Sequence, residues 1–171
     1  MSSDFNEFML GESKQKIQIE TIEENRLAAI ALAKQAGRSL HIFSHDLDPM
    51  VYDNNDFVDA VKALAIGHSQ AQVQIIIQDS RKIIEKGHRI IELARRISSN
   101  IHIRKTPAEM KSYSKAFLIA DKTGVLYRTI GDRFEGFVNF DDRFESKNLL
   151  DFFTTTWEHS APDPELRRLY I

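Results

Sequence analysis

A histidine and three aspartates fall where two short apolar runs end. His45, Asp46 and Asp48 follow the run 40–44, and Asp79 follows the run 73–77. If both runs are parallel strands of one sheet, these four side chains converge at the strand ends, where open α/β sheets bind ligands. Two carboxylates at this spacing can divide the work of nucleophile and general acid around a divalent cation. They can equally cap the loop into a following helix. A second polar set is spread over residues 113–143 and includes Ser114, Lys115, Asp121, Asn139 and Arg143. A third is basic: His88, Arg89, Arg95, Arg96, Arg104, Lys105 and Lys111. Guanidinium groups suit phosphate. Adjacent arginines on a helix diverge by about 100°, however, so the basic set reads first as a solvated face.

The elements that must hold these residues are legible from periodicity. Thr21 is placed to cap a helix with Glu23 and Glu24 in its first turn, and Gly37 ends it. Residues 40–44 and 73–77 read as buried strands, and 101–104 as a further one. Between them, Asn54 or Asn55 caps a helix carrying Phe57, Val61, Leu64 and Ala65, and residues 87–100 read as another. Helical connections of this length predict parallel neighbours. Residues 116–120 and 125–128 flank the turn 121–124 as a hairpin. A strand over 137–140 and a helix capped by Asp141 or Asp142, carrying Leu149, Leu150, Phe153 and Trp157, complete the order. The fold class expected is α/β, a three-layer α/β/α sandwich with a mixed, mostly parallel central sheet. Residues 1–19 read as a partly flexible arm with a short extended piece near 16–20, and 20–171 as one domain.

The stretch YSKAFLIADKTGVLYR, followed by EGFVNFDDR, resembles one half of the phospholipase D superfamily motif. There His-x-Lys leads into an apolar strand, an Asp opens a hairpin, and a Gly-x-x-Asn segment follows. Gly136 to Arg143 matches the last part. Keeping Asp121 in register puts Ser114 at the nucleophilic histidine and Ala116 at the lysine. Keeping Lys115 in register puts Tyr113 at the histidine. Neither register supplies an imidazole, and the family's chemistry needs one to attack phosphorus and another to protonate the leaving oxygen. The resemblance therefore implies a phospholipase D-like fold with a degenerate motif, close to bacterial domains of this fold without an assigned activity. It implies a binding or regulatory role, with a phosphate-bearing ligand or nucleic acid held by Ser114, Lys115, Asp121, Asn139 and Arg143. It also implies a homodimer, because one-half members pair their motifs.

The strand followed by Asp46-Leu47-Asp48 resembles the first motif of haloacid dehalogenase-type phosphatases. That likeness implies a Mg²⁺-dependent enzyme with Asp46 as nucleophile and Asp48 as acid, although Pro49 and Met50 replace the family's Gly and Thr. A purely structural or protein-interaction domain is the remaining reading. The 171 residues, 42% hydrophobic and 28% charged with a net charge of −2, suit a globular domain and demand no polyanion. The absence of cysteine removes disulfides, zinc–thiolate sites and cysteine nucleophiles. No signal-peptide pattern or membrane-length apolar run is seen, so the expectation is a cytoplasmic protein with no membrane contact. No cofactor motif and no metal set are recognised.

Overall fold

The computed structural model describes residues 5–110 and 112–168. In chain order the elements are β1 (Ile17–Ile19), α1 (Ile22–Gln35), β2 (Ser39–Ser44), α2 (Pro49–Tyr52) and α3 (Asn55–Gly67). Then come β3 (Gln72–Ile77), α4 (Arg81–Lys86), α5 (Arg89–Arg96), β4 (Ile101–Lys105), β5 (Ala116–Ala120), β6 (Gly124–Arg128), β7 (Gly136–Asn139), α6 (Arg143–His159) and α7 (Pro164–Arg168).

The helix starts follow from side chains that satisfy orphan amides. Thr21 and Glu24 form a capping box at α1. Asn54 accepts the Phe57 amide at α3, and Asp142 accepts the Glu145 amide at α6. The helix expected over 87–100 is shorter. Gly87, at φ +76°, closes α4, and His88 then caps α5.

One seven-stranded mixed sheet has the order β1-β7-β6-β5-β2-β3-β4. The expectation of a mostly parallel sheet is corrected. Only β2–β3 and β3–β4 pair in parallel, whereas β1–β7, β7–β6, β6–β5 and β5–β2 are antiparallel. Helical crossovers join parallel neighbours only where β2 leads to β3 and β3 to β4, while α1 carries the chain from β1 at one edge over to β2. After β4 the chain crosses back through residues 106–115, enters beside β2 in the opposite direction, and continues by short connections.

Alternation along the strands divides the apolar residues between the two faces. Leu40, Ile42, Val73, Ile75 and Leu118 bury with Leu32, Val61 and Ile91 from α1, α3 and α5. Phe43, Ile76, Phe117 and Ile119 bury with Leu149 and Phe153 of α6. The stretch expected as a loose arm is packed from Phe5 onward. Phe5 is buried beside Phe8 and Phe140, the Gly11 amide donates to the Phe140 carbonyl at 2.8 Å, and β1 pairs with β7. Its aromatic residues gain more by covering the Phe140 side of the sheet than the chain loses in freedom.

His41 stands among the apolar residues of the α6 face, edge-on to Phe153 with ring centroids 5.0 Å apart. Its Nδ1 is buried and has no hydrogen-bond partner among the described residues. Burial, assisted by the charge of Lys122, pushes the imidazole from 6.5 down to about 4. The unfolded chain therefore takes up the proton first as pH falls. Stability is full above pH 6.5 and is lost between 6.5 and about 4. The loss from this group is on the order of 3 kcal/mol. Buried His88, also lowered chiefly by burial, acts with the same sign. Urea melts of His41→Phe between pH 7 and 4 should show a markedly flatter pH dependence than the parent. An equal slope in both proteins would remove His41 as its source.

Candidate functional site

The carboxyl ends of β2 and β3 and the entrance to β5 enclose an open cleft of about 560 Å³. Its walls include His45, Asp46, Asp48, Lys82, Ser114 and Asp132. The backbone holds its floor. The His45 carbonyl accepts the amides of Gln78 and Asp79 at 2.9 and 2.7 Å, which ties the ends of β2 and β3 together. The Gln78 side chain donates to the carbonyls of Met110 and Tyr113 at 2.8 and 2.9 Å, which fastens the crossing segment over the strand ends.

The loop after β2 turns through Leu47, which is fully buried in the left-handed region at φ 55°. His88 stabilises that turn. Its Nε2 lies 2.9 Å from the Leu47 carbonyl, and its Nδ1 accepts the Ile90 amide at 3.1 Å. Only the neutral tautomer with the proton on Nε2 satisfies both contacts. The turn carries Asp46 and Asp48 to the cleft.

Each strand-end acid has a partner within the chain. Asp48 uses both oxygens: Oδ1 accepts the Met50 amide at 3.1 Å, and Oδ2 meets Nη1 of buried Arg128 at 3.3 Å. Asp46 lies 3.6 Å from Lys82 Nζ. Asp79 is gripped by the Arg81 guanidinium, whose hydrogen bonds hold its carboxyl well below the usual carboxylate range. The exposed His45 ring sits 3.9 Å from Asp79 through Nε2. Among the described residues, no group of three or more His, Cys, Asp or Glu is arranged to hold a metal ion.

The five residues expected from the degenerate motif do not gather in one place. Ser114 lines the cleft, and its hydroxyl donates to the Thr129 carbonyl at 3.4 Å. Lys115 is exposed at the start of β5, outside the lining residues. Asp121 follows the far end of β5, about 20 Å of extended chain away. There its carboxylate accepts the amides of Gly37, Arg38 and Ser39 at 2.9, 2.8 and 3.0 Å. Asn139 is opposite Val125 at that same far end, buried, with Oδ1 on the Asp141 amide. Arg143 pairs with Asp141 at 3.4 Å. The Gly-x-x-Asn segment thus runs away from the cleft along β7, because Gly136 lies opposite Arg128 and Asn139 opposite Val125.

The basic set also disperses. Arg89 pairs with Asp53 at 3.1 Å, Arg95 donates to the Leu166 carbonyl, and Arg104 lies over the Trp157 ring at 4.4 Å. Lys111 lies outside the described residues. Sequence reasoning missed Lys82, Gln78 and Asp132 as cleft residues, and missed the pairing of Arg128 with Asp48. A strand arginine gives no local sign of a partner 80 residues away.

The model of one family, described as a domain of unknown function (DUF7931), matches residues 21–169. The chain belongs to that family. Curated proteins yield no match to this DUF7931 domain. Solved structures do match. An archaeal chromatin protein, TrmBL2, whose structure is described as showing a novel mode of DNA binding, superposes with a TM-score of 0.64 at 15% identity. That match covers 88% of this chain and 54% of TrmBL2, so the chain spans about half of that protein's length. NucT from Helicobacter pylori gives 0.63 at 17% identity, covering 87% and 99%. Nuc from Salmonella typhimurium, a phospholipase D family member, gives 0.54 at 14% identity, covering 88% and 97%. At these identities the likeness establishes the fold: the DUF7931 domain is phospholipase D-like in architecture. No helix among its described residues is long and apolar enough to cross a membrane.

Proposed function

We infer that this protein is a non-catalytic phospholipase D-like module, a three-layer α/β/α domain that binds a phosphate-bearing ligand in the cleft between β2, β3 and β5. The observation that carries this reading is the state of Ser114. In the register that keeps Asp121, it occupies the position of the family's nucleophilic histidine. Its hydroxyl donates to a backbone carbonyl instead of to a base. A serine oxygen without a base is a poor nucleophile. His45, the one histidine among the lining residues, is turned toward Asp79.

Binding asks less of the same cleft. Lys82 can swing from Asp46 to a phosphate oxygen, since exposed pairs of this kind hold weakly. The hydroxyl of Ser114 and the imidazole of His45 offer further donors. The acids Asp46, Asp48 and Asp132 limit how much negative charge the cleft accepts, which favours a single phosphate over a long polyanion. The DNA-binding description of TrmBL2 is compatible with a binding role on this fold. The phosphatase reading has less support, because both oxygens of Asp48, its general acid, are already taken up by Arg128 and the Met50 amide. A homodimer that brings two clefts together belongs to the same proposal, and a monomer at micromolar concentration in sedimentation would remove it.

The test pairs binding with turnover. Titration of the full chain with inorganic phosphate and a phosphorylated dinucleotide, followed by amide NMR, should shift His45, Lys82 and Ser114. Lys82→Ala should weaken the interaction about fivefold. Bis(p-nitrophenyl) phosphate should not be hydrolysed. Metal-independent hydrolysis that Ser114→Ala abolishes would overturn the proposal, as would the absence of shifts at millimolar phosphate.

A further inference from the structure

The sheet ends at β4, and its outer edge is only partly closed. On β4 the even-numbered backbone groups point inward: the Asn100 carbonyl takes the Val73 amide at 2.8 Å, and the Thr106 amide donates to Ile77 at 2.9 Å. The odd-numbered groups therefore point out of the sheet. At one end Lys105 exchanges two hydrogen bonds with Ala161, 2.8 and 3.2 Å long, in an antiparallel bridge. Pairing stops there because Pro162 and Pro164 follow, and neither can donate to a ladder. The Ile101 amide is satisfied by Ile97. That leaves the outward amide and carbonyl of Ile103 without a hydrogen-bond partner among the described residues.

Beside this edge, on the α5 side of the sheet, is a groove of about 290 Å³. Ile91, Ala94, Ile103, Pro162 and Leu166 give it apolar walls. His102 and Arg104 take the alternate positions of the same strand and also border the groove, as does Asp163, whereas Lys105 falls on the side of Ile103. An added strand alternates its side chains between these two environments. One set enters the apolar groove. The next set meets His102 and Arg104.

We propose that the outer edge of β4 is a docking site for an extended acidic segment of a partner protein, one that alternates aliphatic and acidic residues and pairs through Ile103. Charge decides the occupant. A second copy paired antiparallel about Ile103 would set Arg104 of each chain against His102 of the other and would supply no carboxylate to either. An acidic strand places carboxylates there instead. The Lys105–Ala161 bridge shows that this edge accepts an antiparallel partner. The groove shares no lining residue with the cleft, and the proposal stands or falls without the phosphate reading.

The probe is an acetylated, amidated hexapeptide of alternating valine and glutamate, added to the ¹⁵N-labelled full chain. In the free protein the Ile103 amide should exchange with solvent faster than the amides of His102 and Arg104. Addition of peptide should shift the Ile103 resonance and slow its exchange about tenfold. The valine–lysine counterpart should bind about tenfold more weakly. Ile103→Pro removes the outward donor without touching a β3–β4 bond and should abolish binding. A peptide methylated at alternate amide nitrogens tests the same pairing from the other side, should that variant fail to fold. Equal binding of the lysine peptide would overturn the proposal. So would undiminished binding by folded Ile103→Pro and by the methylated peptide together, or shifts confined to His45 and Ser114. Self-association through β4 with no peptide response would assign the edge to a second copy and overturn it too.

Discussion

Asp48→Ala should cost about 3 kcal/mol and lower the melting temperature by about 10 °C. The reason lies with the partner left behind. Arg128 is only 3% exposed, and it pairs with Asp48, itself 17% exposed. Removing the carboxylate strands a guanidinium in the protein interior and also frees the Met50 amide at the start of α2. Asp48→Asn keeps the amide acceptor and should lose less. The double replacement Asp48→Leu with Arg128→Met should recover most of the loss, because an apolar pair does not need the compensation that a lone buried charge does. Asp46→Ala provides the contrast. Its lysine is 69% exposed, so the change should stay within about 0.5 kcal/mol. Thermal and urea melts of the four variants check the ordering. Asp48→Ala melting with the parent would show that Arg128 finds water or another acceptor at no cost.

Gly136→Ala should be as damaging, from a position that resembles a ligand-binding motif. A Cβ at residue 136 would clash with the Tyr127 carbonyl oxygen and come within 3.0 Å of the Tyr127 carbonyl carbon and 3.2 Å of the Arg128 Cα. These are backbone atoms of β6, which is held between β5 and β7 and cannot step aside. The expected loss is about 3 kcal/mol or failure to fold. Gly67→Ala is the control: a Cβ there meets nothing within 4 Å, and alanine suits the last turn of α3 better than glycine. Equal stability of Gly136→Ala and the parent would mean that β7 can move away from β6. The glycine of the motif-like segment thus serves close strand approach, which a search for ligand groups does not anticipate.

Local order was readable wherever one residue determines it. Thr21, Asn54 and Asp142 cap helices because a short polar side chain before an apolar period has few other uses. The strands at 40–44 and 73–77 follow from β-branched and aromatic runs. Strand direction was not readable beyond the helical crossovers, since nothing local tells β5 to enter beside β2 instead of beyond β4. The short α4 escaped notice because Ser80 makes no side-chain capping bond. At the site, the position of His45, Asp46, Asp48 and Asp79 at strand ends was legible from the apolar runs before them, although Asp79 is not among the residues lining the cleft. The grouping of Ser114 with Asp121 and Asn139 was not sound, because the motif's spacing is the length of a strand. Residues at its two extremes face opposite ends of the sheet. Asp121 instead binds the amides that lead into β2.

The carbonyl of His45 joins two neighbouring strands by accepting two amides, and it does so irrespective of the side chain. Position 45 therefore separates chemical identity from architectural duty. Its ring is more than half exposed, so substitutions there change what the cleft presents while the main-chain latch stays closed. A lineage could sample many ligand chemistries at this position with little folding penalty. A protein engineer could do the same, grafting new recognition groups at residue 45 before altering any other part of the scaffold.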